Sequence, residues 1–294
     1  GLTSAAIFAF SVNHVWISRI GLQESILIAL MLASTYCFLR AVTPRTSVSI
    51  GQPIDTVRRD APLSSPWWLM AAATLLGLAF LAKYLVLILI PIFLTILAIR
   101  YRSYFKNSYF LFSIFLFLVV ASPVTIYNIQ LYRNFGHFDF QFSLLFGQDV
   151  AVWPARPGQE VLGSYADRII GFVPWLVKSN SPYFLILAAI GLGAIVSRFI
   201  RGKSQLITDD GLLITVLAWL LLFLVFIGPA PRFLAILTPW LALAAGWALA
   251  AASHSQILKN LRMAGGRTAA VIVLLITAVE GMYAYNSVIA LDPI

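Results

Sequence analysis

The chain consists largely of apolar blocks, roughly 16 to 21 residues long, that alternate with short basic stretches. An α-helix of about 20 apolar residues crosses the hydrocarbon core of a bilayer. The blocks lack the polar face of a surface helix, so lipid and neighbouring helices have to surround them. The predicted fold class is therefore all-α, a polytopic membrane bundle of about nine spans. The spans are predicted at Gly1 to Ser11 (partial), Ser25 to Val42, Trp67 to Ala82, Leu85 to Ile99, Tyr109 to Tyr127, Tyr183 to Ser197, Gly211 to Gly228, Phe233 to Ala252 and Ala269 to Ile289.

The positive charges are divided unequally between the two ends of the predicted spans. The net charge of +9 would by itself also suit a nucleic-acid-binding protein. However, thirteen of the 20 Lys and Arg residues lie in one set of short alternate loops, which the positive-inside rule places in the cytoplasm: Arg40, Arg45, Arg58, Arg59, Arg100, Arg102, Lys106, Arg198, Arg201, Lys203, Lys259, Arg262 and Arg267. The other seven share the external side with most of the acids: Arg19, Lys83, Arg133, Arg156, Arg168, Lys178 and Arg232. We therefore expect no nucleic-acid partner and place the chemistry on the external face.

Residues 1–294 are interpreted as one transmembrane domain. The cytoplasmic loop 43–66 is rich in Pro, Ser and Thr and is predicted to be an irregular linker. The external loop 128–180 is too long for a plain connector, and its stretches 138–146 and 165–177 are predicted to be amphipathic pieces at the membrane surface. The chain starts inside an apolar block without a secretory signal, so we expect at least one further span upstream.

Four charged residues lie at the external ends of predicted spans: Arg19, Glu24, Lys83 and Arg232. A charge at membrane depth costs about 3 kcal/mol, so each of them needs a reason. Taken singly, Arg19 and Glu24 would pair, Lys83 would extend to the lipid headgroups, and Arg232 would be an interfacial anchor. Together, three cations and a carboxylate on one face would form a receptor for a phosphate-bearing ligand, with Glu24 as a ligand for a divalent metal.

The remaining titratable residues have simpler interpretations. The acids of the long external loop are predicted to lie on a solvated face, with contacts to an acceptor or a metal as the alternative: Asp139, Asp149, Glu160 and Asp167. His14 is predicted to be a polar loop residue. Glu280, inside the last span, is predicted to form a polar pair within the bundle. The single cysteine, Cys37, excludes a disulfide within the chain.

Four short segments lie where predicted spans begin or end, at Ser18 to Ser25, Leu76 to Tyr84, Ser122 to Asn128 and Pro231 to Pro239. The first has an Arg before an acidic residue, and the others read "GLA-x-x-x-K", "P-x-x-x-x-N" and, with Phe for Tyr, "RY-x-x-x-x-x-P". In sequence, order and spacing these segments resemble the C-type membrane glycosyltransferases. Within that family they are similar to the protein O-mannosyltransferase and aminoarabinose transferase group, over residues 1 to 250.

The resemblance implies an enzyme that moves a sugar from a polyprenyl-phosphate carrier to a lipid, glycan or protein acceptor. The reaction would take place on the external face of a bacterial or archaeal plasma membrane. Arg19, Lys83 and Arg232 match basic positions near the carrier phosphate, and cations there would stabilise the departing phosphate. Glu24 matches an acidic position that orients the acceptor or holds a divalent metal. The main catalytic Asp is expected upstream of Gly1, so the segment 1–294 alone is expected to be inactive.

Two alternatives of other classes stay open at this point. A secondary transporter or carrier-lipid flippase also places charges between helices, although transporters commonly have inverted repeats and charges near the bilayer midplane. In this sequence the charges lie at span ends, and no internal repeat is evident. A membrane scaffold without catalytic activity is the second alternative, and the clustered charges argue against it only weakly.

Overall fold

The computed structural model describes residues 1–11, 14–15, 23–42, 65–139, 142–143, 146–148, 164–201, 209–228, 231–253 and 265–286. Regular structure in these ranges is helical without a strand, which confirms the predicted all-α class. The predicted cytoplasmic loop falls almost wholly outside the described residues. The chain divides into two compact units, one of residues 26–157 and one that combines residues 1–25 with 158–294.

The described helices follow the apolar blocks closely. In chain order they are α1 (Leu2–Phe10), α2 (Gln23–Val42), α3 (Pro66–Ala82), α4 (Leu89–Arg100), α5 (Ser108–Phe135), α6 (Tyr165–Ser179), α7 (Pro182–Ile200), α8 (Asp209–Ile227), α9 (Pro231–Leu234), α10 (Thr238–Ser253) and α11 (Gly265–Ala284). Two 3-10 helices, Tyr84–Ile88 and Arg102–Lys106, precede α4 and α5. Among the described helices, α2, α5 and α7 are long and apolar enough to cross a membrane, and five shorter apolar helices accompany them. The predicted total of about nine spans is therefore a loose one.

Two of the differences from the predicted blocks have a clear local cause. Helix α5 continues for eight residues beyond Tyr127, and its 28 residues measure about 42 Å, more than the hydrocarbon core of about 30 Å. It ends at Gly136, whose φ of 76° is the left-handed conformation that a glycine adopts readily. The predicted block from Phe233 is split into α9 and α10, since Pro239 has no N–H with which to continue a helix from α9.

In the unit of residues 26–157, helices α2 to α5 pack through aromatic and small residues. Phe38 of α2 stacks on Phe93 of α4 with ring centroids 4.1 Å apart. A Cβ atom on Gly77 of α3 would lie 2.8 Å from the side chain of Val120 in α5. Gly77 is the glycine of the "GLA-x-x-x-K" segment, so its lack of a side chain lets α3 approach α5 and positions the turn that follows.

In the other unit, α10 lies at the centre of the packing. A Cβ atom on Gly191 of α7 would lie 2.0 Å from the backbone carbonyl oxygen of Ala244, and one on Gly246 would lie 2.1 Å from the hydroxyl of Ser4. These two glycines therefore let α7 and α1 pack closely against α10, and a larger side chain at either position would prevent that approach.

Helix α6 begins with a capping box, and the side chain of Arg168 anchors it to the end of α8. Ser164 accepts a hydrogen bond from the backbone N–H of Asp167, whose carboxylate accepts one from the N–H of Ser164. Arg168 donates to the backbone carbonyls of Val225 and Phe226 at the end of α8, where unpaired carbonyls favour a cation. This helix occupies the predicted amphipathic stretch 165–177 and exposes several apolar side chains: Ile169, Ile170, Val173 and Val177.

Candidate functional site

A short turn after α3 presents Lys83. The helix ends at Ala82, and Lys83 has extended backbone angles of φ −166° and ψ 137°. Its N–H donates to the carbonyl of Ala79 (2.9 Å), while its own carbonyl accepts from the N–H of Val86 (3.3 Å). The half-buried Lys83 and Tyr84 therefore lie side by side where the chain leaves one apolar helix for the next. The Tyr84 ring packs on Phe80 with centroids 5.0 Å apart.

A buried carboxylate, Asp139, joins this turn to the end of α5. Its side chain is 7% exposed. Oδ2 accepts hydrogen bonds from the hydroxyl of Tyr84 and from Nδ2 of Asn128 (3.1 Å), and Oδ1 accepts one from the backbone N–H of Phe142 (3.0 Å). The N–H of Asp139 in turn donates to Oδ1 of Asn128 (2.9 Å). Tyr84, Asn128 and Asp139 are called the Asp139 cluster below.

The segment after α5 folds back on itself beside this cluster. The N–H of Phe138 donates to Oε1 of Gln148 (3.0 Å), and the Ser143 hydroxyl lies 2.9 Å from the Phe138 carbonyl and 3.1 Å from the same Gln148 oxygen. The Phe138 ring stacks on Tyr132 of α5 with centroids 4.8 Å apart. These contacts hold the start of the long loop against the last turns of α5.

The electrostatics of the Asp139 cluster favour a fixed structure rather than proton transfer. Burial, and then the neighbouring Asp139 carboxylate, raises the pKa of the Tyr84 hydroxyl above its ordinary value, so Tyr84 remains a donor at neutral pH. Both oxygens of Asp139 already accept hydrogen bonds, which compensates for the burial of a charged group. The cluster therefore fixes the turn that carries Lys83 relative to α5 and the start of the loop.

The prediction that Asp139 lies on a solvated face is wrong. Gly136 ends α5 and reverses the chain, and the reversal brings Asp139 back onto Asn128 of the same helix. Sequence reasoning missed Tyr84 and Asn128 as partners, although both belong to segments singled out above, directly after Lys83 and at the end of "P-x-x-x-x-N". Asp167 is exposed, as predicted. The remaining two acids of the loop, Asp149 and Glu160, are outside the described residues.

The four predicted site residues are described to different extents. Glu24 lies in the first turn of α2 and is buried, at 2% exposure, where an acid suits the positive end of the helix dipole. Lys83 lies beside the Asp139 cluster. Arg19 is outside the described residues, and Arg232 is described only as part of α9, without its side chain. The convergence of these four residues on one cavity stays a prediction.

The predicted metal has no complete set of ligands in the described ranges. Within them, no three His, Cys, Asp or Glu side chains lie together as a metal site. Glu24 alone is a weak ligand set for a divalent cation, which prefers several oxygen ligands. The described part of the chain therefore does not by itself fit a resident metal, and the role of Glu24 as a metal ligand stays a prediction.

Two further predictions concern His14 and Glu280. His14 packs on Phe8 with ring centroids 4.3 Å apart, and burial lowers the pKa of its imidazole, so it is less solvated than a polar loop residue would be. Glu280 accepts a hydrogen bond from the hydroxyl of Ser181, which confirms the predicted polar pair within the bundle.

Comparison with known proteins gives one family match. Residues 1–139 match the family model described as dolichyl-phosphate-mannose-protein mannosyltransferase. The match confirms, over that part of the chain, the resemblance to this group of membrane glycosyltransferases. It includes Glu24, Lys83 and the whole Asp139 cluster. Searches of curated proteins and of solved structures found no match to the chain.

Proposed function

We propose that this chain forms the membrane part of a glycosyltransferase that takes a sugar from a polyprenyl-phosphate carrier and transfers it to an acceptor on the external face of the membrane. The acceptor is a lipid, a glycan or a protein. The observation that carries the proposal is the Asp139 cluster beside Lys83, within the residues that match the mannosyltransferase family.

The cluster connects, in three dimensions, residues that lie within the family match. Tyr84 and Asn128 come from two separate motif segments, and they meet on one carboxylate although 44 residues separate them in the printed sequence. A turn fixed in this way holds its cation in place before the substrate arrives. Preorganised charge of this kind lowers the barrier more than a mobile side chain does, because no reorganisation is needed during the reaction.

The proposed reaction exchanges one bond at the anomeric carbon of the sugar. The bond from this carbon to the carrier phosphate oxygen breaks, a bond to the acceptor oxygen or nitrogen forms, and the acceptor proton passes to a base. The resemblance assigns the role of base to an Asp. Negative charge develops on the departing phosphate, and Lys83, with Arg19 and Arg232, stabilises it there. Glu24 orients the acceptor.

The experiment is a transfer assay on the protein in its full natural length, reconstituted into vesicles with a polyprenyl phosphate that carries a radiolabelled mannose. We expect label to move from the carrier to an acceptor fraction and unglycosylated polyprenyl phosphate to accumulate in equal amount. Label that crosses the bilayer while still joined to its carrier would overturn the proposal in favour of the flippase. Label that neither moves nor is transferred would overturn both readings for this donor.

A further inference from the structure

Another buried carboxylate, in the other unit, faces the start of α7. Glu280 of α11 is 0% exposed, and its Oε1 accepts a hydrogen bond from the hydroxyl of Ser181. Ser181 is the N-cap of α7, and its Oγ also accepts from the backbone N–H of Phe184 (3.1 Å). The carboxylate therefore faces a helix N-terminus, where the helix dipole favours negative charge.

Two buried oxygen atoms, Oε2 of Glu280 and Oδ1 of Asn180, have no hydrogen-bond partner within the described part of the chain. Asn180 is 2% exposed and directly precedes Ser181. Its Nδ2 donates to the carbonyl of Leu176 (3.1 Å), and because a carbonyl can only accept, the orientation of the amide is fixed. Oδ1 is therefore a true acceptor. Both unpartnered atoms are acceptors, and one belongs to a carboxylate.

The nearby cations of α6 are engaged elsewhere. The ammonium of Lys178 lies over the ring of Trp175, 5.0 Å from its centroid. Arg168 donates to the carbonyls at the end of α8. A carboxylate buried at membrane depth is strongly disfavoured unless a positive charge compensates it. A proton or a bound cation would supply that compensation to Oε2 of Glu280.

We propose that Glu280 and Asn180 form a binding site for a small alkali cation such as Na⁺, held by Oε2 of the carboxylate and Oδ1 of the amide. Hard oxygen ligands suit an alkali cation, whereas softer metals prefer nitrogen and sulfur. A single carboxylate matches one positive charge, and divalent cations are usually bound by several charged or carbonyl oxygens. The site ties α11 to the start of α7, and it is independent of the sugar transfer proposed above.

The test is thermal unfolding of the purified full chain in NaCl and in choline chloride, at equal ionic strength and pH. A ligand that binds only the folded state raises the unfolding temperature, so the wild type should melt about 3 °C higher in NaCl. Glu280→Gln removes the charge and keeps the shape, and it should melt at the same temperature in both salts. Asn180→Ala should lose at least half of the difference. Asp167→Asn, which changes an exposed acid of α6, should retain all of it.

A wild type that melts at the same temperature in both salts would overturn the proposal, because the proposed site binds Na⁺ and not the much larger choline. So would a full Na⁺ effect in Glu280→Gln, since the cation would then bind elsewhere. If Glu280→Gln fails to fold, the wild-type comparison and Asn180→Ala still decide, because both keep the carboxylate. The transfer assay is not involved, so failure of this proposal leaves the proposed function untouched.

Discussion

Asp139 in one unit and Glu280 in the other are both buried carboxylates, and the protein compensates their charges differently. Asp139 accepts from Tyr84, Asn128 and a backbone N–H, so each of its oxygens has a donor. Glu280 accepts from Ser181 through one oxygen, while the other has no partner among the described residues. The first carboxylate is satisfied by the protein itself and acts as a structural joint. The second leaves an acceptor available, which is the arrangement expected of a binding site.

The largest effect is expected from Asp139→Ala. The substitution leaves the hydroxyl of Tyr84 and the amide of Asn128 buried without their acceptor, which costs about 3 kcal/mol of the free energy of unfolding. The unfolding temperature of the purified protein should fall by at least about 5 °C, and most of the transfer activity should be lost with it. Asp139→Asn keeps one acceptor and should lose less. An Asp139→Ala protein with wild-type stability would show that Asp139 is not the structural joint that distinguishes it from Glu280.

The next effect is expected from Ser181→Ala, which removes the side-chain donor to Glu280 together with the N-cap of α7. We expect a loss of about 2 kcal/mol, of which the cap accounts for about 1. Ser164→Ala is the matched control, because it removes the cap of α6 without touching a buried carboxylate. Thermal unfolding of both variants gives the difference. Equal losses would mean that the Ser181 bond contributes nothing beyond the cap.

A smaller effect is expected from Tyr84→Phe. Asp139 then keeps its bonds from Asn128 and Phe142, so the loss should be about 1 kcal/mol. Tyr109→Phe, at an exposed tyrosine of α5, is the control and should change stability by less than about 0.5 kcal/mol. A Tyr84→Phe loss as large as that of Asp139→Ala would instead make the Tyr84 bond the main support of the cluster.

The apolar blocks predicted most of the helices, because a span of the right length and composition needs no long-range information. The end of α5 was not predicted, since it depends on the conformation of Gly136 rather than on apolarity. The Asp139 cluster could not be predicted from a local sequence pattern either. Its partners lie 55 and 11 residues away, and only the reversal at Gly136 brings them together. The polar pair of Glu280 was predicted, because an acid within an apolar span requires a polar partner from whichever helix supplies it.

The smallest effect concerns Asp167, an exposed acid that contrasts with the buried Asp139 and Glu280. Hydrogen bonds from the Ser164 side chain and backbone lower the pKa of Asp167, so its contribution to helix stability is present above the ordinary pKa of an Asp. That contribution should be lost as the pH falls below about 4. Hydrogen-exchange protection of the first turn of α6 should decrease over that range in the wild type. In Asp167→Asn the protection should be low and independent of pH.

The most direct test of the central claim, that the Asp139 cluster holds Lys83 ready for the carrier phosphate, is the turnover of Lys83→Ala in the full natural length of the protein. Loss of one cation at a departing phosphate should reduce kcat about 30-fold to 1000-fold, and the protein should remain folded. Arg133→Ala, which removes an exposed cation at the end of α5, is the matched control and should keep wild-type turnover. Equal turnover in Lys83→Ala and Arg133→Ala would contradict the account.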